Sequence, residues 1–229
     1  ATYPSEPRDK LPKNEKRLSC DKNYYEETMD IAKIPRFKIV SGDIYGRQVN
    51  NWGSLNPEMY FSNEEDTDMR RWMSELNGNF VILWGLSGSA RQKTYLFVEE
   101  TINALNELYS NLIFITVGDE SCQILEYRIK NIPNVICKSG LWTIRQSILA
   151  AKYVNLVISP DTGLLHGSGC FDTPKIGLFT ATTINNVTKH FKNDFSIEAQ
   201  GVGCSPCFKL IYSAENQCTL GNNKMPICM

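Results

Sequence analysis

Residues 80–86 read Phe80-Val81-Ile82-Leu83-Trp84-Gly85-Leu86. Seven apolar or small residues in succession, with no polar alternation, mark a strand buried on both faces; a strand with one wet face alternates. The run is far too short to cross a bilayer. Working outward, Leu112–Val117 repeats the pattern, and Val135–Cys137, Asn155–Ser159 and Lys175–Phe179 are shorter strands of the same kind. Helical spacing fills the gaps between them. Ser62 and Glu65 make a capping box ahead of Met69, Trp72, Met73 and Leu76, and Asn77-Gly78-Asn79 stops that helix. Val98, Ile102 and Leu105 form one stripe, and Ile124, Tyr127 and Ile129 another. Thr143 and Gln146 form a second capping box before Ile144, Ile148 and Ala151, and Leu164–Cys170 is a short helix. Five strands alternating with helices predict an α/β fold, a doubly wound parallel sheet of Rossmann-like form.

The chain has 229 residues, 42% hydrophobic and 21% charged, with 24 Lys plus Arg against 25 Asp plus Glu. That length and composition suit a packed domain and exclude disorder or coiled coil as whole-chain descriptions. A net charge of −1 gives no bulk electrostatic reason to bind nucleic acid. No basic-then-apolar leader and no membrane-length apolar run is visible, so a cytoplasmic location without a transmembrane segment is expected. The sequence opens on Ala1, a hint of processing or of excision from a longer protein. Residues 1–56 read as a linker or arm, with Pro4, Pro7 and Pro12 and a possible helix at Tyr24–Ala32. Residues 57–200 read as the α/β domain and 201–229 as a cysteine-rich tail; the alternation fades after Phe179, so 181–229 read as loop plus that tail.

In such sheets ligands bind beyond the carboxyl ends of the strands. There the sequence places Ser87-Gly88-Ser89 with Lys93, then Gly118-Asp119-Glu120, then Leu141-Trp142, then Asp161-Thr162-Gly163-Leu164-Leu165-His166. Small residues, a helix N-terminus and Lys93 suit a phosphate, although neither a P-loop nor G-x-G-x-x-G spacing is present. A solvated loop before a helix explains the same residues equally well. Asp161 is expected as the helix cap, with Thr162 and Gly163 open to a ligand and His166 one turn on. A capped helix with a core histidine is the plain alternative. An aspartic-protease Asp-Thr-Gly loop belongs to an all-β fold, which the helical alternation opposes.

Cys204, Cys207, Cys218 and Cys228 crowd the tail, whereas Cys20, Cys122, Cys137 and Cys170 are scattered. A C-x2-C knuckle with two later cysteines suits a tetrahedral structural Zn or Fe ion; disulfides or reduced thiols are the alternative.

Ser87 to Lys93, Gly118 to Glu120, the string Ser159 to His166 and Pro174 to Phe179 resemble the ADP-heptose:lipopolysaccharide heptosyltransferases of glycosyltransferase family 9, over roughly residues 57–229. The resemblance implies the C-terminal, donor-binding half of a two-domain GT-B enzyme. It further implies that Ser89, Lys93 and Ser87 hold a donor diphosphate, with Thr162, Gly163 and Leu164 adding contacts. Asp119 or Glu120 would bind the ribose or base edge, Leu141 and Trp142 the adenine, and His166 the phosphate or sugar; Lys93 and His166 are the catalytic candidates. The donor would be a nucleotide-sugar, ADP-heptose by resemblance, and the acceptor a glycan or protein. The tail resembles the Cys-x-Pro-Cys fingers of the family, one branch of which carries a four-cysteine iron finger and glycosylates autotransporter adhesins. Tyr95-Leu96 stands where the family has Trp-Pro, Phe179 meets Thr180 rather than Gly, and Gly167-Ser168-Gly169-Cys170 replaces an alanine-rich helix. The family's general base lies in an N-terminal domain that this sequence does not include. A non-catalytic GT-B-derived module and a transferase using a UDP-sugar are the rival expectations.

Overall fold

The computed structural model describes residues 57–209, 218 and 226–228. The Tyr24–Ala32 helix and the whole arm expected over 1–56 lie outside the described residues. Chain order is α1 (Asn63–Ser74), β1 (Phe80–Gly85), α2 (Val98–Leu108), β2 (Leu112–Val117), α3 (Gln123–Ile129), β3 (Val135–Cys137), α4 (Ile144–Ala150), β4 (Leu156–Pro160), α5 (Gly163–Ser168), β5 (Lys175–Phe179), α6 (Ile184–Val187) and β6 (Ile197–Glu198). The strands form one parallel sheet in the order β3-β2-β1-β4-β5-β6. That is the doubly wound order, whose direction reverses between β1 and β4.

The unbroken apolar run of β1 is explained by its two neighbours. Val81 and Leu83 face a core shared with Met69 and Met73 of α1, Leu149 and Ala150 of α4, and Leu164 of α5. Ile82 and Trp84 face the opposite core with Val98 and Ile102 of α2 and Ile129 of α3. Side chains alternate across a strand, so both parities must be apolar when helices cover both faces. Both capping boxes are formed: Ser62 Oγ accepts from Glu65 N, Thr143 Oγ1 accepts from Gln146 N, and each N3 side chain returns a bond.

Two expectations are corrected. The sheet has a sixth strand, β6, and the short helix α6 precedes it, within residues read as loop. Two paired residues leave no period to detect. Helix α5 ends at Ser168, not Cys170, where Gly167 and Gly169 weaken propagation. A 3-10 turn at Glu120–Cys122 precedes α3, capped by Asp119. Among the described residues no helix is long and apolar enough to cross a membrane.

If β1 is the centre of both cores, Leu83→Ala, at 0% exposure, should cost about 2–5 kcal/mol in urea unfolding. Ile124→Ala, at 76% exposure on α3, should change stability by no more than about 0.5 kcal/mol. Comparable losses for the two would contradict the two-core arrangement.

Candidate nucleotide-sugar site

The loops after β1 and β4 meet at the point where strand order reverses. Lys93 lies in a 3-10 turn, Arg91–Lys93, within the long connection from β1 to α2. Its Nζ donates to Asp161 Oδ2 at 3.0 Å and to the Asp161 carbonyl at 3.1 Å. His166 Nε2 lies 2.9 Å from Asp161 Oδ1. The Lys93 and Asp161 side chains are 8% and 12% exposed, whereas that of His166 is half exposed. Burial pushes the Asp161 carboxyl up, but the His166 hydrogen bond and the Lys93 charge outweigh it and hold it down at about 2. Two of the three ammonium protons of Lys93 are engaged by Asp161, which leaves one for an anion. Gly88 is required beside it: a Cβ there would sit 2.9 Å from Lys93 Cβ and 3.1 Å from Thr162 Cγ2.

Beside this cluster lies a pocket of about 520 Å³. It gathers Ser87, Asp119, Glu120, Leu141, Trp142, Thr162, Gly163 and Leu164, all expected from the sequence. Ser89 is exposed and does not line it. Lys93, Asp161 and His166 adjoin the pocket through Thr162 rather than forming its wall. Asp119 is occupied as a turn cap: its Oδ1 accepts from Ser121 N at 2.9 Å and Ser121 Oγ at 2.5 Å. Its pKa is lowered, chiefly by the Ser121 hydroxyl bond, against a burial penalty that raises it. Ser87 Oγ lies 2.6 Å from Thr94 Oγ1 and closes its own loop. Trp142 is braced edge-on against Trp72 of α1, with centroids 5.0 Å apart, while Leu141 is 70% exposed.

Two expectations about helix ends are corrected. The Ser87-Gly88-Ser89 loop does not open a helix, since α2 begins only at Val98. Asp161 is not the cap of α5; Thr162 holds that position without a side-chain capping bond, because the Asp161 carboxylate is turned to Lys93 and His166.

Two residues that shape the site are not picked out by the sequence analysis. Glu126, almost fully buried on α3, accepts through Oε1 from Thr116 Oγ1 at 2.7 Å, Ser139 N at 3.0 Å and Lys138 N at 3.2 Å. It fixes the start of the loop that carries Leu141 and Trp142. The available clue was an acid between Cys122 and Ile129 at helical core spacing. Gly140 makes the next bend at φ +69°, a conformation that favours glycine.

Cys204, Cys207, Cys218 and Cys228 are all partly buried. Among the described residues no group of three or more His, Cys, Asp or Glu side chains is gathered as a metal site. Burial raises the Cys228 thiol pKa, and the neighbouring Cys218 and Cys207 raise it further.

The Asp161 carboxyl has its pKa lowered from 3.8 to about 2 in the folded chain. Its stabilising contribution is therefore present above 3.8 and lost as pH falls toward 2. Asp161→Asn should lower stability at pH 7, and the difference from the unmutated chain should shrink across that acid window in denaturant titrations. A pH-independent difference would contradict the ion-pair assignment.

Comparison with known proteins adds independent information. E. coli ADP-heptose lps heptosyltransferase II superposes with a TM-score of 0.52 at 14% identity, covering 68% of this chain and 48% of that one. A family 9 glycosyl transferase from Veillonella parvula superposes with a TM-score of 0.57 at 12% identity, covering 73% of this chain and 49% of that one. At such identities the likeness concerns the fold, and the chain spans about half the length of either protein. No curated protein sequence matches. Residues 101–217 match the family model described as glycosyltransferase family 9 (heptosyltransferase), over half of the chain. With the Asp161-Thr162-Gly163 helix entry and the 3-2-1-4-5-6 sheet, this match shows that the chain belongs to glycosyltransferase family 9.

Proposed function

We propose that the chain is the donor-binding half of an inverting glycosyltransferase that takes a sugar from a nucleoside-diphosphate donor. The observation that carries this is the Lys93–Asp161–His166 cluster beside a 520 Å³ pocket at the strand-order reversal. One remaining ammonium proton and the backbone N–H groups of Gly163 and Leu164 suit a diphosphate. In transfer, an acceptor oxygen bonds the anomeric carbon as its bond to the diphosphate breaks, and the diphosphate leaves with the electron pair. Lys93 then stabilises the charge that builds on the departing oxygen. His166, bonded to Asp161 and half exposed, faces the same groups. The base that takes the acceptor proton belongs to a second domain, as the family resemblance implies. The acceptor is a glycan or a protein.

Trp142 favours adenine over uracil, because its braced ring offers a fixed face of purine size. Glu120 is the better ribose ligand of the acidic pair, since Asp119 is committed to its turn. ADP-heptose is the donor that this reading shares with the E. coli enzyme's description.

The four-cysteine tail is proposed as a structural Zn or Fe finger. The C-x2-C spacing, the partial burial of all four cysteines and the influence of Cys218 and Cys207 on Cys228 support it. Such an ion would pin a tail that has little core of its own.

Lys93→Ala should weaken ADP binding by about 1.5–3 kcal/mol in calorimetry, the scale of a charge-assisted hydrogen bond. ADP should outcompete UDP; equal or tighter UDP binding would favour a UDP-sugar donor instead. The 229-residue chain alone should bind nucleotide and show no transfer, so turnover by it would sink the divided-site reading. Protein purified without chelator should carry close to one equivalent of zinc or iron, and less than half an equivalent would reject the finger.

A further inference from the structure

The cysteine segment and the Lys93 turn are joined by side-chain bonds that neither the fold nor the pocket requires. Gln92, the residue before Lys93, is fully buried. Its Nε2 donates to the carbonyl of Lys209, two residues past Cys207. Its own carbonyl accepts from Thr180 Oγ1, at the end of β5. Thr180 is tied in turn to the tail: its carbonyl accepts from Ser205 Oγ at 2.7 Å. Phe208 N donates to Ala181 O at 2.7 Å. The turn that carries Lys93 is a single 3-10 turn, held internally by Lys93 N to Ala90 O at 2.9 Å and Thr94 N to Arg91 O at 3.0 Å. So short a turn has poor internal bonding, and external ties set its orientation.

We propose that Gln92 is a positioning residue, which transmits the seating of the cysteine segment to Lys93 and so sets the chain's affinity for a nucleoside diphosphate. This rests on the reading of Lys93 as a diphosphate ligand, and goes beyond it by making the tail part of the donor site. One tie fixes the turn from the tail side and one from the sheet side. Removing either lets the turn rotate, and the ammonium then leaves the line between Asp161 and the ligand. The tail thereby acts on binding without touching the nucleotide.

The test is a double-mutant cycle read by calorimetry with ADP, and with adenosine as a phosphate-free probe. Gln92→Met keeps the volume and removes the donor; Thr180→Val keeps the shape and removes the other tie. Each should weaken ADP roughly three- to tenfold, the scale of a lost positioning hydrogen bond, and leave adenosine unchanged. In the Lys93→Ala background the same changes should alter ADP affinity by less than about twofold, since the residue they act through is gone. Equal losses in both backgrounds, or a parallel loss for adenosine, would reveal general loosening and overturn the proposal. Unchanged ADP affinity in both Gln92→Met and Thr180→Val, with Lys93→Ala impaired, would overturn the positioning role alone. Unchanged affinity in Lys93→Ala would overturn the ligand reading and this one together. Thr180→Val decides the matter if Gln92→Met does not fold.

Discussion

The Lys93–Asp161 ion pair joins the two connections between which the sheet changes direction. β1 and β4 are neighbours, and the connections after them leave toward opposite faces, so a crevice opens between them. A lysine from one side and an aspartate from the other close its floor at 3.0 Å. Removing two charges from water is costly, and a lone ion pair offsets that cost poorly. Here the Asp161 carbonyl and His166 supply further bonds, so each charge is held by more than its partner. What results is a cation fixed in place by the fold itself, which is the form electrostatic preorganisation takes.

The rest of the crevice is built around that pair by unrelated means. Glu126 ties down the loop after β3 with one carboxylate oxygen, Gly140 bends it, and Trp72 on α1 holds Trp142 edge-on. Lys138 lies 5.2 Å and 5.6 Å from the Trp72 and Trp142 ring centres, adding a cation–π contact to each. Beyond Trp142 a second groove, of about 420 Å³, runs between α1 and α4 past Met69, Trp72 and Arg145. Trp142 therefore lines both hollows and stands between them.

The architecture was legible because burial on both faces forces apolar strands, and β1 carries that mark in all six residues and β2 in five of six, Thr116 excepted. The capping boxes at Ser62 and Thr143 were legible for a local reason, since donor and acceptor are three residues apart. Legibility failed where one residue has two competing partners. Asp161 stands where a helix cap belongs, and only the fold shows that Lys93, 68 positions earlier, takes its carboxylate instead. It failed again for Gln92, whose ties to Thr180 and Lys209 span 88 and 117 positions and leave no period to detect. Strand β6 was missed for want of length.

The most direct test of the central claim is a structure of this chain with ADP bound. The account predicts β-phosphate oxygens within about 2.7–3.2 Å of Lys93 Nζ, with the Lys93–Asp161 pair intact and adenine against Trp142. ADP seated instead in the Trp72–Arg145 groove, or a diphosphate that leaves Lys93 without a phosphate contact, would contradict it.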